Sequence, residues 1–208
     1  AFSDRYVYNT RLTWQYQWTG KTTIGPYAGY EYVSVKHGSD ERAWSTGVTA
    51  NYQAFAKTAF SGSVGIEDRS FSGNAIGNRS NGTFDLGMTH RYSPKTSFAL
   101  NAYIRTQASV GTFGNGFDST GLGLDVNYVA SDRLTLRART SYEHADYFAV
   151  NTGSASASDT DYYSVSVGGQ YRAPYGIILG TDATWRAQAA DDSSDEFDGF
   201  SLQLNASY

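Results

Sequence analysis

Charged side chains recur at alternate positions through much of the chain, a spacing that could line one wall with ionisable groups. Arg137 and Arg139 share one parity, and a hairpin turning at Ser131 would place Asp125 across from Arg137 and close to Arg139. Facing rows of opposite charge could filter polar or anionic solutes through a transverse field. The simpler interpretation is solvation alone, with cross-strand ion pairs stabilising a hydrated wall. The candidate wall residues are Arg105, Asp125, Arg133, Arg137, Arg139, Arg172, Asp182 and Arg186.

A hydrolytic site is the competing chemistry. His144 and Asp146 lie two residues apart on one parity, and they could orient a water molecule if Asp191, Asp192 or Asp195 approached. A spacing of two arises readily by chance, and no serine stands out as a partner. We therefore predict a solvated rim at His144 and no catalytic residue.

Metal and cofactor sites receive little support from the sequence. The acidic residues between 191 and 198 lack the ordered spacing of a calcium loop, and Gly111, Gly114 and Gly116 precede no helix that could bind phosphate. Cysteine is absent, which excludes thiolate metal sites and disulfides. A net charge of -4 gives no basic field for nucleic acid. We expect no metal, no cofactor and no nucleic-acid partner.

The alternation that positions these residues is that of two-faced β-strands. Residues 5–18 place aromatic and aliphatic side chains on one parity and polar ones on the other. No run of eighteen apolar residues occurs, which excludes a transmembrane helix. The pattern predicts one all-β domain over residues 1–208, a transmembrane antiparallel up-and-down β-barrel. The eleven predicted strands cover about 5–18, 22–35, 43–54, 60–67, 84–92, 98–105, 121–128, 133–143, 163–171, 177–185 and 200–208.

The predicted connections alternate between short turns and long polar loops, as in outer-membrane barrels with short periplasmic turns. A soluble β-sandwich or β-solenoid would also alternate, but its strands average about six residues and its exposed face would contain more Lys and Glu. Aromatic residues cluster near both ends of the predicted strands, which is typical of interface girdles. The girdle at the short-turn end comprises Tyr52, Phe60, Tyr92, Phe98, Tyr128, Tyr171 and Tyr208.

Eleven is an odd count, whereas bacterial single-chain barrels have even ones. Three explanations are open: a poorly patterned twelfth strand formed around residues 1–4 with the first strand, a chain that is the carboxyl-terminal part of a larger barrel, or closure of the wall by a partner chain. We favour the larger barrel.

The last residues, FSLQLNASY, carry apolar groups at alternate positions and end in an aromatic residue. This segment resembles the signal that the barrel-assembly machinery recognises, and the whole chain resembles the Gram-negative porin-like class. The resemblance implies an integral protein of the bacterial outer membrane. Its expected partners are the lipid bilayer, lipopolysaccharide, the assembly machinery, and a partner chain or second copy. The expected function is a passive channel for small polar solutes, the alternative being a structural barrel that anchors a partner chain.

Overall fold

The computed structural model describes residues 5–35, 40–72, 78–108, 115–149, 159–190 and 196–207. They form one antiparallel sheet of twelve strands, in which β1 and β2 both pair with β3 and each later strand pairs with the next one along the chain. No helix in these ranges is long and apolar enough to cross a membrane. The strands are β1 (Arg5–Thr13), β2 (Tyr16–Thr19), β3 (Thr22–Val35), β4 (Glu41–Phe55), β5 (Thr58–Phe71), β6 (Arg79–Arg91), β7 (Thr96–Ala108), β8 (Asn115–Ser131), β9 (Leu134–Ala149), β10 (Asp159–Arg172), β11 (Ile178–Ala190) and β12 (Phe197–Ser207).

The first two strands are halves of one crossing, because both pair with β3. The sheet therefore crosses eleven times, as the alternation predicts. Trp14 N donates to Pro26 O over 3.0 Å, but Pro26 has no N–H with which to complete the ladder. A Cβ added at Gly25 would lie 1.5 Å from Trp14 O. Pro26 is therefore accompanied by a break in the facing strand, while β3 itself is paired on both sides.

Several strands extend beyond their predicted ends on the long-loop side. Residues 41–42, 68–71 and 79–82 belong to β4, β5 and β6, whereas the sequence pattern predicts loops there. Both faces are polar there, so the alternation of apolar residues fades while the backbone ladder continues. The prediction was wrong at these boundaries for that reason. The short turns fall where expected, and the one before β11 contains the positive-φ residues Tyr175 and Gly176.

One face of the sheet carries the large apolar side chains, and we call it the outer face. Trp44 is 64% exposed, and Leu204 is 74% exposed. Such a surface requires an apolar medium. The predicted girdle residues Tyr52, Phe60, Tyr92, Phe98, Tyr128 and Tyr171 lie beside the short turns, whereas Tyr208 lies outside the described residues.

The two edge strands are β1 and β12, and the described part of the chain pairs each of them on one side only. Eleven antiparallel crossings make these two strands run in the same direction. Residues 1–4, where a twelfth crossing was considered, lie outside the described residues.

Candidate functional site: the inner face of the sheet

The polar face opposite the apolar one, here called the inner face, carries the candidate wall residues. The strand register places the seven of them that lie in strands on this one face, while Arg133 lies in the turn before β9. Asp125 faces Arg139, and Arg137 faces Asn127. The expected position of Asp125 across from Arg137 is therefore wrong, because the ladder is centred on Asp132 rather than on Ser131, which moves the facing residue by two positions.

Two ion pairs cross the middle of this face. Arg139 Nε lies 2.5 Å from Asp125 Oδ1 on the neighbouring strand. Arg137 Nη2 lies 3.1 Å from Asp182 Oδ1, two strands away. Gly168 on the intervening strand makes the second pair possible, because a Cβ there would lie 2.3 Å from Asp182 Oδ1. The charges of this region are thus paired along the wall.

Glycines on nearby strands also leave room for two inward-facing tyrosine side chains. Tyr103 lies over Gly121, where a Cβ would come within 2.2 Å of its ring, and it donates a hydrogen bond to Glu143 on the strand beyond. Tyr27 lies over Gly65 in the same manner, with its hydroxyl 2.3 Å from the position of an added Cβ. Long side chains on this face therefore lie along the wall rather than standing away from it.

The remaining candidate arginines differ in their surroundings. The Arg105 guanidinium lies 4.0 Å from the centre of the Tyr103 ring, a cation–π contact. Arg133, Arg172 and Arg186 are exposed, and no ion pair joins them to any residue that the structure describes. Among the described residues, no direct neighbour therefore balances their positive charge.

A buried cluster lies on this face toward the long-loop end. Arg69 is only 4% exposed, and its guanidinium is bound by three carboxylates. Nη1 donates to Glu41 Oε2 over 2.9 Å, and Nη2 donates to Glu31 Oε1 over 3.2 Å and to Glu67 Oε1 over 3.0 Å. We call these four residues the Arg69 cage. Its carboxylates come from β3, β4 and β5, so the cage ties three strands together.

A second polar cluster extends the cage across β6, β7 and β8. Asp118 accepts hydrogen bonds from Asn81 and Thr106, each over 2.8 Å, and lies 2.5 Å from Arg79 Nη2. A cavity of about 490 Å³ opens beside the cage, lined in part by Arg11, Glu31, Glu67, Arg69 and Arg105. Both acidic and basic groups therefore border this cavity.

Arg69, Glu41, Arg79 and Asp118 belong to these two clusters, but the sequence pattern predicts loops at their positions because the regular alternation of apolar residues does not extend to them. The strand register puts Glu41, Arg69 and Arg79 on the inner face, whereas Asp118 has the parity opposite to that of Asp125. Parity is the signal that could have identified Arg69, because it lies two positions after Glu67 in the same strand and therefore on the same face.

His144 and its surroundings lie on the outer face, beyond the apolar part of β9. His144 Nδ1 lies 2.9 Å from Asp161 Oδ1, which also accepts a hydrogen bond from Tyr142 over 2.9 Å. The hydrogen bond to Asp161 raises the pKa of His144 and lowers the pKa of Asp161. Asp146 is thus not the hydrogen-bond partner of His144. The three aspartates proposed to approach, Asp191, Asp192 and Asp195, lie outside the described residues.

The other chemistry-bearing groups give no metal arrangement within the described ranges. Groups of three or more His, Asp or Glu side chains that could hold an ion are absent there. His90 lies on the outer face, and its Nδ1 is 2.8 Å from Thr58 Oγ1.

The sheet is similar in structure to several solved outer-membrane proteins. The FrpB iron transporter of Neisseria meningitidis (F3-3 variant) superposes with a TM-score of 0.68 and 8% identity, over 97% of this chain and 40% of that one. The chain thus spans 40% of the length of that transporter. The Vibrio cholerae outer-membrane protein OmpT gives 0.49, with 10% identity over 97% of this chain and 96% of that one. The Pseudomonas putida toluene transporter TodX gives 0.47, with 12% identity over 98% and 68%.

Sequence comparison is more specific. No curated protein matches the chain. The family model described as "Putative beta-barrel porin-2, OmpL-like" matches residues 7–206, nearly the whole sequence. The predicted outer-membrane, porin-like class is confirmed. The chain therefore belongs to the OmpL-like β-barrel porin-2 family and is an integral β-barrel protein of the bacterial outer membrane.

Proposed function

We propose that this chain forms the wall of a passive channel for small polar solutes. The observation that carries the proposal is the way inward side chains lie along the wall. Tyr103 lies over Gly121, and Asp182 leans over Gly168 to reach Arg137, so neither side chain needs to fill the enclosed space. Together with membership of a porin family, this favours an open, water-filled lumen.

A channel requires a closed wall, because unpaired N–H and C=O groups at a sheet edge are costly in hydrocarbon. The edges of β1 and β12 must therefore be paired in the membrane. Since these strands run in the same direction, antiparallel closure takes an odd number of additional crossing strands between them. Further residues of the protein or a partner chain could supply them.

The paired charges should set the ionic preference of the lumen. Replacing Arg137 and Arg139 with alanine leaves Asp182 and Asp125 without their counter-ions, so we expect the channel to shift toward cation permeation. The proposed channel contains no catalytic step, and the rim hydrogen bond of His144 takes no part in it.

The test is single-channel recording of the membrane-extracted protein in planar bilayers with a salt gradient. The reversal potential should move toward cation preference in R137A/R139A. The matched control, R137A/R139A/D125A/D182A, removes both whole pairs and should retain the wild-type reversal potential. Protein that inserts but never conducts would contradict the channel and favour the anchoring alternative.

A further inference from the structure

The charges of the described residues separate along the axis of the strands. Every one of the five short turns contains or adjoins a basic residue. These turns and the strand residues flanking them carry six basic side chains against a single acid, Asp132. The six, which we call the turn ring, are Lys21, Lys57, Arg91, Lys95, Arg133 and Arg172.

The opposite end has the reverse sign. In each crossing strand we count positions from the residue next to the short turn. The outer end consists of the described residues that lie nine or more positions from that residue. It contains twelve acidic residues and five basic ones. The Arg69 cage contributes to this excess, because three carboxylates surround one guanidinium. Between the two ends lie four basic and three acidic residues, four of which form the Arg137–Asp182 and Arg139–Asp125 pairs.

The two charged ends are far enough apart to act separately. Nine residues of strand span about 30 Å, and a tilt of about 40° reduces this to about 23 Å along the membrane normal. The Debye length is about 10 Å at 0.1 M salt, so neither end cancels the field of the other. The outer mouth would concentrate cations, and the periplasmic mouth would concentrate anions.

We infer that the channel conducts asymmetrically, with an acidic outer mouth and a basic periplasmic mouth acting as opposed ion reservoirs. This inference rests on the proposed channel function. When the outer compartment is positive, the cations of the outer mouth and the anions of the turn ring both move toward the middle and raise its ion concentration. The opposite voltage draws both away and depletes the middle. The current is therefore larger when the outer compartment is positive.

The experiment compares current–voltage curves of single channels at about 0.1 M and about 1 M KCl, since the Debye length falls to about 3 Å at the higher salt. The insertion direction is read from G20C labelled with an impermeant thiol reagent, because the chain has no cysteine of its own and a side chain at Gly20 meets nothing within 4 Å. We expect asymmetry at low salt and its loss at high salt.

Charge variants test whether the turn ring causes the asymmetry of the current. The variant K21Q/K57Q/R91Q/K95Q/R133Q/R172Q, which neutralises the whole turn ring, should lose the low-salt asymmetry, whereas the charge-preserving control K21R/K57R/K95R should retain it. Heat-modifiable gel migration checks that each variant is folded. The wild-type salt series tests the inference even if a variant does not fold.

The outcomes separate the two proposals. A conducting channel with equal currents at both polarities in low salt overturns the inference and leaves the channel standing. Asymmetry that persists in the neutralised variant overturns the role of the turn ring. Absence of conductance at either salt concentration contradicts both proposals.

Discussion

Replacing Arg69 should destabilise the folded sheet more than replacing any exposed arginine. Arg69 is 4% exposed, and its three carboxylate partners expose 28%, 9% and 16% of their side chains. Removing one partner of a buried ion pair costs about 3–5 kcal/mol, because the remaining charges are left uncompensated. We expect Arg69→Met to lower the free energy of unfolding by that amount.

Repulsion among the three carboxylates explains the destabilisation expected for Arg69→Met. Each accepts a hydrogen bond from the same guanidinium, so they lie within about 6–8 Å of one another. At an effective dielectric constant of about 20, two like charges at that separation repel by roughly 2–3 kcal/mol. Arg69→Met therefore exposes a repulsion that the guanidinium now offsets. Adding E31Q and E67Q removes two of the three charges and should restore about half of the loss.

Unfolding in urea, followed by tryptophan fluorescence and by gel migration, measures these differences. The matched control is Arg186→Met on the same inner face, where the arginine is exposed and no ion pair with a described residue was found; we expect a change below about 1 kcal/mol. An Arg69→Met variant as stable as Arg186→Met would refute the reasoning. So would failure of the two glutamine substitutions to recover stability.

Two further changes test the local geometry. Gly25→Ala should cost about 1–3 kcal/mol or more, because its Cβ would lie 1.5 Å from Trp14 O, whereas Gly82→Ala meets nothing within 4 Å and should leave the urea midpoint nearly unchanged. Equal midpoints would contradict the close approach. Asp161→Asn should bring the pKa of His144 down toward its ordinary value, followed by NMR titration of the imidazole. Because the pKa of His144 is raised in the folded state, its protonation stabilises the fold fully below the unfolded-state pKa, and this stabilisation is lost as pH rises through the folded-state pKa. An unchanged NMR titration midpoint in Asp161→Asn would exclude the Asp161 hydrogen bond as the cause of the raised pKa.

Much of the fold follows from one physical constraint. A strand between hydrocarbon and water must alternate its side chains, so the sequence predicted eleven crossings and the inward parity of Arg137 and Asp182. The constraint weakens where both faces meet water. That is why the extensions carrying Arg69 and Asp118 were missed. Arg69 continues the inward parity of Glu67, whereas Asp118 has the parity opposite to that of the inward-facing Asp125, so parity alone would not have identified it.

Register was less predictable than parity. The hairpin is centred on Asp132, one residue beyond Ser131, so the residue that faces Asp125 is Arg139 and not Arg137, and no composition signal marks this difference. The Arg137–Asp182 pair was also beyond sequence reasoning, since it skips a strand. It depends on Gly168, whose role becomes visible only when three strands are set side by side.

In the proposed channel, these two features together decide where selectivity arises. Gly168 lets Asp182 reach Arg137 two strands away, and with the Arg139–Asp125 pair this leaves four of the seven charged residues in the middle of the wall paired and a net charge of only +1 there. The turn ring has no such partners close by, because Asp132 is the only acid among the short turns. The unbalanced charge therefore stands at the mouths. Substitutions at the turns should consequently change ion preference more than neutral replacement of the paired residues in the middle.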